Sequence, residues 1–161
     1  MAKVKEEKTN VMRTLEQKNI PYTAHTYPAD GPTDGVSVAN YLHQDVEQVF
    51  KTLVTKAASG AYYVFDIPVA ENLDLKKAAK AVGEKSIAMI PQKELLPLTG
   101  YVHGGCSPVG MKKQFHTVFH ETVILFDTIC VSAGKIGAQV ELAPDALIGL
   151  LGADTADVVV E

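Results

Sequence analysis

Two extended stretches, "EQVFKTLVTK" (47–56) and "AYYVFDIPVA" (61–70), face each other across the short polar link "KAASGA". Two β-rich runs joined through so brief a glycine-bearing connection read as an antiparallel hairpin. A hairpin is stable only as part of a larger sheet, so this unit makes sheet the organising element of the chain. Side chains alternate between the faces of a strand, which puts Phe50, Thr52 and Val54 on one face and Val49, Lys51, Leu53 and Thr55 on the other. Lys51 therefore stands in line with two aliphatic neighbours. Burial disfavours a charged lysine. Either its stem lies along Val49 and Leu53 with the head in water, or its ammonium meets an anion or a polarised carbonyl at the mouth of a barrel. The residues alone leave both readings open.

The rest of the chain extends the sheet with irregularly inserted helices. Thr9 caps a first helix with Val11, Met12 and Leu15 on one stripe, and "PYTAHTY" follows as a strand. "PADGPTDG" (28–35) is the most loop-like segment, Ser37 opens a short helix through Leu42, and Asp45 with Gln48 has the pattern of a capping box. Asp74 caps "LKKAAKAV", with Gly83 placed to end it. "SIAMI" is a strand and "PQKELLPLTG" a helix with Pro91 near its first position. "HTVFH", "TVILFDTICVSA" and "AQVELA" read as strand-rich, the last two joined by "GKIG"; Pro144 starts a final helix and "DVVVE" a closing strand. Short turns between many strands point to an α+β fold, a mixed, largely antiparallel sheet closed as a β-barrel and flanked by helices, over a regular βαβ alternation. The 161 residues suit a single domain, 1–161, without linker or repeat.

Composition narrows the function classes. Charged residues make up 21% and the net charge is -4, so a polyanion would have to be met by a local patch such as Lys76, Lys77, Lys80 and Lys85, or Lys112 and Lys113. Taken alone, each patch reads better as a solvated face. Cys106 and Cys130 have no C-x-x-C spacing and form no disulfide framework, which places the chain in a reducing compartment. "MAKVKEEKTN" lacks an apolar signal region and no apolar run reaches transmembrane length, so the expectation is a cytoplasmic protein with no membrane partner.

Candidate chemistry is sparse. His116 and His120 are four apart but sit in a strand-like run without a third ligand, so no metal is expected. "GGCSPVG" misses the nucleophile elbow because Val109 stands where its last glycine belongs. Cys106 with His103 would make a thiol–imidazole pair. Glycines 104, 105 and 110 around Pro108 would instead let a ligand approach the backbone and meet exposed N–H groups, or simply form a tight turn. "VSAGKIG", with Ser132, Gly134, Lys135 and Gly137, has the same two readings.

Taken together and in order, "DGVSVAN", "EQVFKTLV", "LDLKKAAKAVGEK", "LTGYVHGGCSPVGMKK" and "FDTICVSAGKIGAQVELAPDAL" resemble the YbaK/EbsC family, which is similar to Cys-tRNA(Pro) deacylases and to the editing domain of some prolyl-tRNA synthetases. The resemblance runs from about Thr9 to Ala153. It implies a mixed β-barrel flanked by helices and a hydrolase that frees cysteine wrongly attached to tRNA(Pro), with Cys-tRNA(Cys) as a further candidate substrate. Cysteine is misattached because it is near-isosteric with proline. Lys51 matches the family's functional lysine, and Gly104, Gly105, Cys106, Ser107 and Pro108 match its G-x-x-x-P loop, whose backbone holds the aminoacyl group. Tyr27, Thr52, Ser132 and Gly134 complete the expected substrate site. Relatives are thought to let the substrate's own thiolate attack its ester, giving a cyclic thiolactone, which leaves the protein orientation and electrostatics and makes Cys106 a loop residue. No cofactor is implied. The partners implied are the 3′ end of a mischarged tRNA and prolyl-tRNA synthetase in a transient complex. His43 stands where relatives commonly have glycine. Two alternatives are a deacylase for another small amino acid such as alanine, and a non-catalytic module that binds aminoacyl-tRNA or a synthetase.

Overall fold

The computed structural model describes residues 8–161; residues 1–7 of the expected single domain lie outside the described residues. Helix α1 (Asn10–Gln17) starts at Thr9, whose hydroxyl accepts from the Met12 amide, and buries Val11, Met12 and Leu15. Strand β1 (Tyr22–Thr26) and the loop 27–34 lead to α2 (Gly35–Tyr41). Asp34, rather than Ser37, caps α2: its carboxylate accepts from the Ser37 amide, as a short acidic side chain does for an orphan first-turn N–H.

The expected hairpin is present, with β2 (Phe50–Ala57) pairing antiparallel to β3 (Tyr62–Pro68) and Thr52 opposite Asp66. Helix α3 (Leu75–Val82) runs from Asp74 to Gly83, which takes φ 74. Strand β4 (Ile87–Met89), α4 (Gln92–Thr99) and β5 (His116–His120) follow. Residues Glu121–Leu125 form a 3-10 turn where a strand was expected; Ile124 and Leu125 are solvent-exposed, so the apolar run there is not a buried strand. β6 (Ile129–Ser132), β7 (Ala138–Leu142), α5 (Pro144–Leu151) and β8 (Asp154–Ala156) complete the order. The last strand thus precedes "DVVVE", which contributes the single bridge Leu73–Val159.

The expected barrel does not close. The strands form a three-stranded sheet β1–β7–β6 and a five-stranded sheet β4–β2–β3–β5–β8, in which β3–β5 and β5–β8 are parallel. The sheets meet at the bridge Val49–Cys130, supported by the Cys130 amide on the Gln48 carbonyl. Beyond it β2 pairs with β4 only over Thr55–Ala57. Closure would need continuous pairing along that edge; instead residues 50–53 keep an open edge between the two contacts.

The main core lies between the three-stranded sheet, α1 and α5, with Leu15, Val131, Val140 and Leu147 wholly or almost wholly buried. A second cluster packs Phe65 and Ile67 on α3, and a third packs Val54 and Val64 on α4 and the loop carrying Cys106. Among the described residues no helix is long and apolar enough to cross a membrane.

His43 adopts φ 57. A side chain in the left-handed region is strained where glycine is not. His43→Gly should therefore raise stability by roughly 0.5–1 kcal/mol, glycine's greater unfolded-state entropy cancelling part of the relief. Urea denaturation midpoints of the two proteins check this.

Candidate functional site

The open edge of β2 borders a cavity of about 360 Å³. The consecutive residues Val49 to Leu53 line it, which a strand achieves along an edge, where side chains of both faces and unpaired main-chain groups are reachable. The other walls are the start of α2, the end of β3 at Val69, Leu95 of α4, the loop at His103, Gly104 and Cys106, and Ser132 with Gln139 from the three-stranded sheet.

Two close approaches set the shape of these walls. A Cβ on Gly35 would fall 2.4 Å from Val69 Cγ1, so only glycine lets α2 begin against the end of β3. A Cβ on Gly105 would lie 3.0 Å from Ile136 N and from Lys135 C, so the loops "GGCSPVG" and "VSAGKIG" are stacked backbone to backbone.

Lys51 lines the cavity half-buried. Desolvation lowers its pKa, and the Glu71 carboxylate pulls the other way. Ser132 Oγ accepts from the Gly134 amide at 3.1 Å, which leaves its hydroxyl hydrogen to donate. The Gly105 N–H is already bonded to Val102 O at 3.0 Å, so it is not a free donor as expected from the sequence. Ser107 is buried and its Oγ accepts from the Val109 amide, while the Tyr101 hydroxyl donates to Val109 O, pinning the loop from beneath.

Cys106 is buried, and desolvation, with the nearby Asp66 carboxyl, pushes its thiol up to about 12. A thiol so disposed supplies almost no thiolate at neutral pH. That argues against a Cys106–His103 hydrolase, though both residues line the cavity. Both cysteines are free.

Of the residues singled out in the sequence, Lys51, Thr52, His103, Gly104, Cys106, Ser132 and Tyr27 come together around this cavity. Gly105, Ser107, Pro108 and Gly134 do not line it; they shape the two loops behind it. Residues missed by sequence reasoning are Asp34, Gly35, Val69 and Gln139 on the walls, and Asp66 beneath Thr52. The D-x-x-S spacing of Asp34 and Ser37 was the available signal for the first of these.

Beside Gln139, on the polar face of the three-stranded sheet, ligand atoms of His25, Cys130 and Glu141 lie within 4.8 Å of one another. This is the set whose chemistry would suit a metal. Glu141 is already held by Thr128 and by His25 Nε2 at 2.7 Å, which lower its pKa, and burial pushes the Cys130 thiol up to about 12. The cluster is self-satisfied as it stands. His116 and His120 are tied separately, the first to Asp154 at 2.6 Å and the second through Nδ1 accepting from the Val158 amide.

Comparison with known proteins follows the same outline. A family model described as an aminoacyl-tRNA editing domain matches residues 33–150. The chain is 44% identical over 160 residues, 98% of each chain, to a protein of Enterococcus faecalis provisionally named Cys-tRNA(Pro)/Cys-tRNA(Cys) deacylase EbsC. A solved structure, provisionally described as a trans-editing enzyme for prolyl-tRNA synthetase, matches with a TM-score of 0.83 and 26% identity over 94% of this chain and 95% of that one. A solved hypothetical protein shares the fold at a TM-score of 0.85 and 21% identity, covering 93% of this chain and 99% of its own.

Proposed function

The chain belongs to the family of aminoacyl-tRNA editing domains, and from that membership we propose that it is an aminoacyl-tRNA deacylase that frees cysteine from mischarged Cys-tRNA(Pro) and from Cys-tRNA(Cys). The observation that carries this is the whole-length relative of that name at 44% identity. The cavity supports it in size, because about 360 Å³ is suited to a small aminoacyl group and the end of its ester.

In this reading the substrate's thiol is the nucleophile. Its sulfur attacks the ester carbonyl, the C–O bond to the terminal ribose breaks, the ribose oxygen takes the thiol's proton, and cysteine leaves as a cyclic thiolactone that water then opens. The protein's own contribution is orientation and charge. Lys51 faces the oxygen that becomes negative or the adjacent phosphate. The Gly104 N–H and the Ser132 hydroxyl donate to the ester, and Tyr27 closes the side of the pocket. The desolvated Cys106 thiol fits a structural role in the loop.

The acidic balance, with a net charge of -4, supports weak intrinsic binding of tRNA. Selection of tRNA(Pro) then falls to prolyl-tRNA synthetase in a transient complex in the cytoplasm.

Deacylation of Cys-, Ser- and Ala-tRNA(Pro), with and without the synthetase, tests the reading. The expected result is rapid release of cysteine, faster with the synthetase present, and little release of serine, whose hydroxyl is a far weaker nucleophile than a thiol. Serine released as fast as cysteine would replace substrate assistance by ordinary water attack. Preferential release of alanine would change the substrate.

A further inference from the structure

One buried acid has no part in the chemistry above. Asp66 sits on β3 directly opposite Thr52, and no part of it reaches solvent. Its Oδ1 accepts from the Thr52 hydroxyl at 2.5 Å, while among the described residues Oδ2 has no hydrogen-bond partner. A carboxyl group held this way costs stability, so its presence beneath the cavity calls for a compensating role. Thr52 itself lines the cavity.

A hydroxyl has one hydrogen to give. With that hydrogen on Asp66, Thr52 can turn only lone pairs toward the cavity. The geometry points to Asp66 as a positioning residue that fixes Thr52 as an acceptor for the free α-ammonium of the aminoacyl group, so that the site selects aminoacyl esters over N-acylated ones. This rests on the deacylase reading above.

The other polar groups around the cavity favour that assignment. Lys51, the Ser132 hydroxyl and the Gly104 amide are donors and suit the ester and phosphate oxygens. The Asp34 oxygens already accept from the Ser37 amide and hydroxyl, at 2.9 and 2.7 Å. Gln139 Oε1 accepts from Gln44 at 2.8 Å. Thr52 differs from the other hydroxyls lining the cavity in having its hydrogen committed to a buried acid, so it can only accept there, and on a cysteinyl ester the strong donor is the α-ammonium. The thiol must stay free to reach the carbonyl. Burial pushes Asp66 up to about 7. Ionised, Asp66 can only accept from Thr52, and in its neutral form Oδ1 still accepts when the proton is on the unpartnered Oδ2.

Hydrolysis of Cys-tRNA(Pro) and N-acetyl-Cys-tRNA(Pro) tests the inference, since acetylation removes the ammonium and leaves the thiol. The native protein should prefer the free amine by about tenfold or more in kcat/KM, the size of one charge-assisted hydrogen bond. Thr52→Val should shrink that preference about tenfold toward the ratio set by the esters' own reactivity, chiefly by raising KM for the free amine, and Asp66→Ala should do the same. Thr52→Ser, which restores the hydroxyl, and Asp66→Asn, whose carbonyl oxygen replaces Oδ1, should keep most of the preference. Equal hydrolysis of both esters by the native protein, or an undiminished preference in Thr52→Val, would overturn the inference. Hydrolysis of neither ester removes the deacylase reading itself and this inference with it.

Discussion

Lys51→Ala should lower kcat/KM for Cys-tRNA(Pro) by about 10²- to 10³-fold, the usual consequence of losing one preorganised donor to developing negative charge. The expectation comes from position and environment together. Lys51 is on the open edge of β2, half-buried in the cavity wall, where desolvation lowers its pKa and Glu71 opposes that effect. A charge in such a place acts through a lower effective dielectric than one in water, so its removal is felt in the rate. Stability should move in the other direction or hardly at all, because a partly desolvated ammonium is being taken away. A fall in rate without a fall in melting temperature is therefore the signature. Lys51→Arg tests the geometry separately: it keeps the charge but replaces a compact ammonium by a broad planar fork, and should recover only part of the activity. A folded Lys51→Ala variant with native turnover would take the lysine out of the mechanism.

The hairpin that holds Lys51 could be read from the chain because its information is local. Alternation of apolar residues and a glycine-bearing link specify β2 and β3 and their antiparallel pairing, and the same kind of local signal placed Thr9, Asp74 and Gly83 at helix ends. Sheet closure is a different kind of fact. It depends on which edges pair, and the bridge to β6 is made at Val49, just before β2, after which the edge opens. No residue between Phe50 and Leu53 announces that its outer side will be unpaired. The parallel pairing of β3 with β5 is equally non-local. At the cavity, periodicity alone left Lys51 ambiguous between solvent and ligand, and the family resemblance tipped it toward the loops. The structure brings Gly104 and Ser132 to the same cavity but puts Gly105 and Gly134 behind it, a distinction of orientation that a motif does not carry. Asp66 went unnoticed because a single acid in "YYVFDIPVA" looks like ordinary alternation. Only the register that sets it against Thr52 reveals a buried pair.

That buried acid should also make the protein less stable as pH rises from 5 to 8. The ordinary value of 3.8 is raised to about 7 in the fold, with burial as the cause and the Thr52 hydrogen bond as a partial offset. The folded state thus holds the proton more tightly than the unfolded chain. By linkage, stability is fully present below about pH 4, falls as pH rises through the interval up to about 7, and levels off above it. Over that interval the loss is on the order of a few kcal/mol. Cys106, the titratable group beside Asp66, is pushed up to about 12 and stays neutral throughout, and Lys51 points from the opposite face of β2. Glu16, Asp34, Glu141 and Asp157 have lowered values, so their contributions are lost only at more acid pH. His120 works against the trend: burial lowers its pKa, so its contribution to stability grows as pH rises through the ordinary histidine range. Asp66→Asn separates the two, since it keeps His120 and abolishes the carboxyl titration. Urea midpoints at pH 5 and pH 8 should show the variant gaining on the native protein by a few kcal/mol at the higher pH. Parallel pH profiles for the two proteins would mean that Asp66 ionises as an ordinary carboxylate. A diverging pair would show that the group holding Thr52 in the cavity wall is kept at a standing cost to the fold, as is usual where a site needs a polar group its core would otherwise exclude.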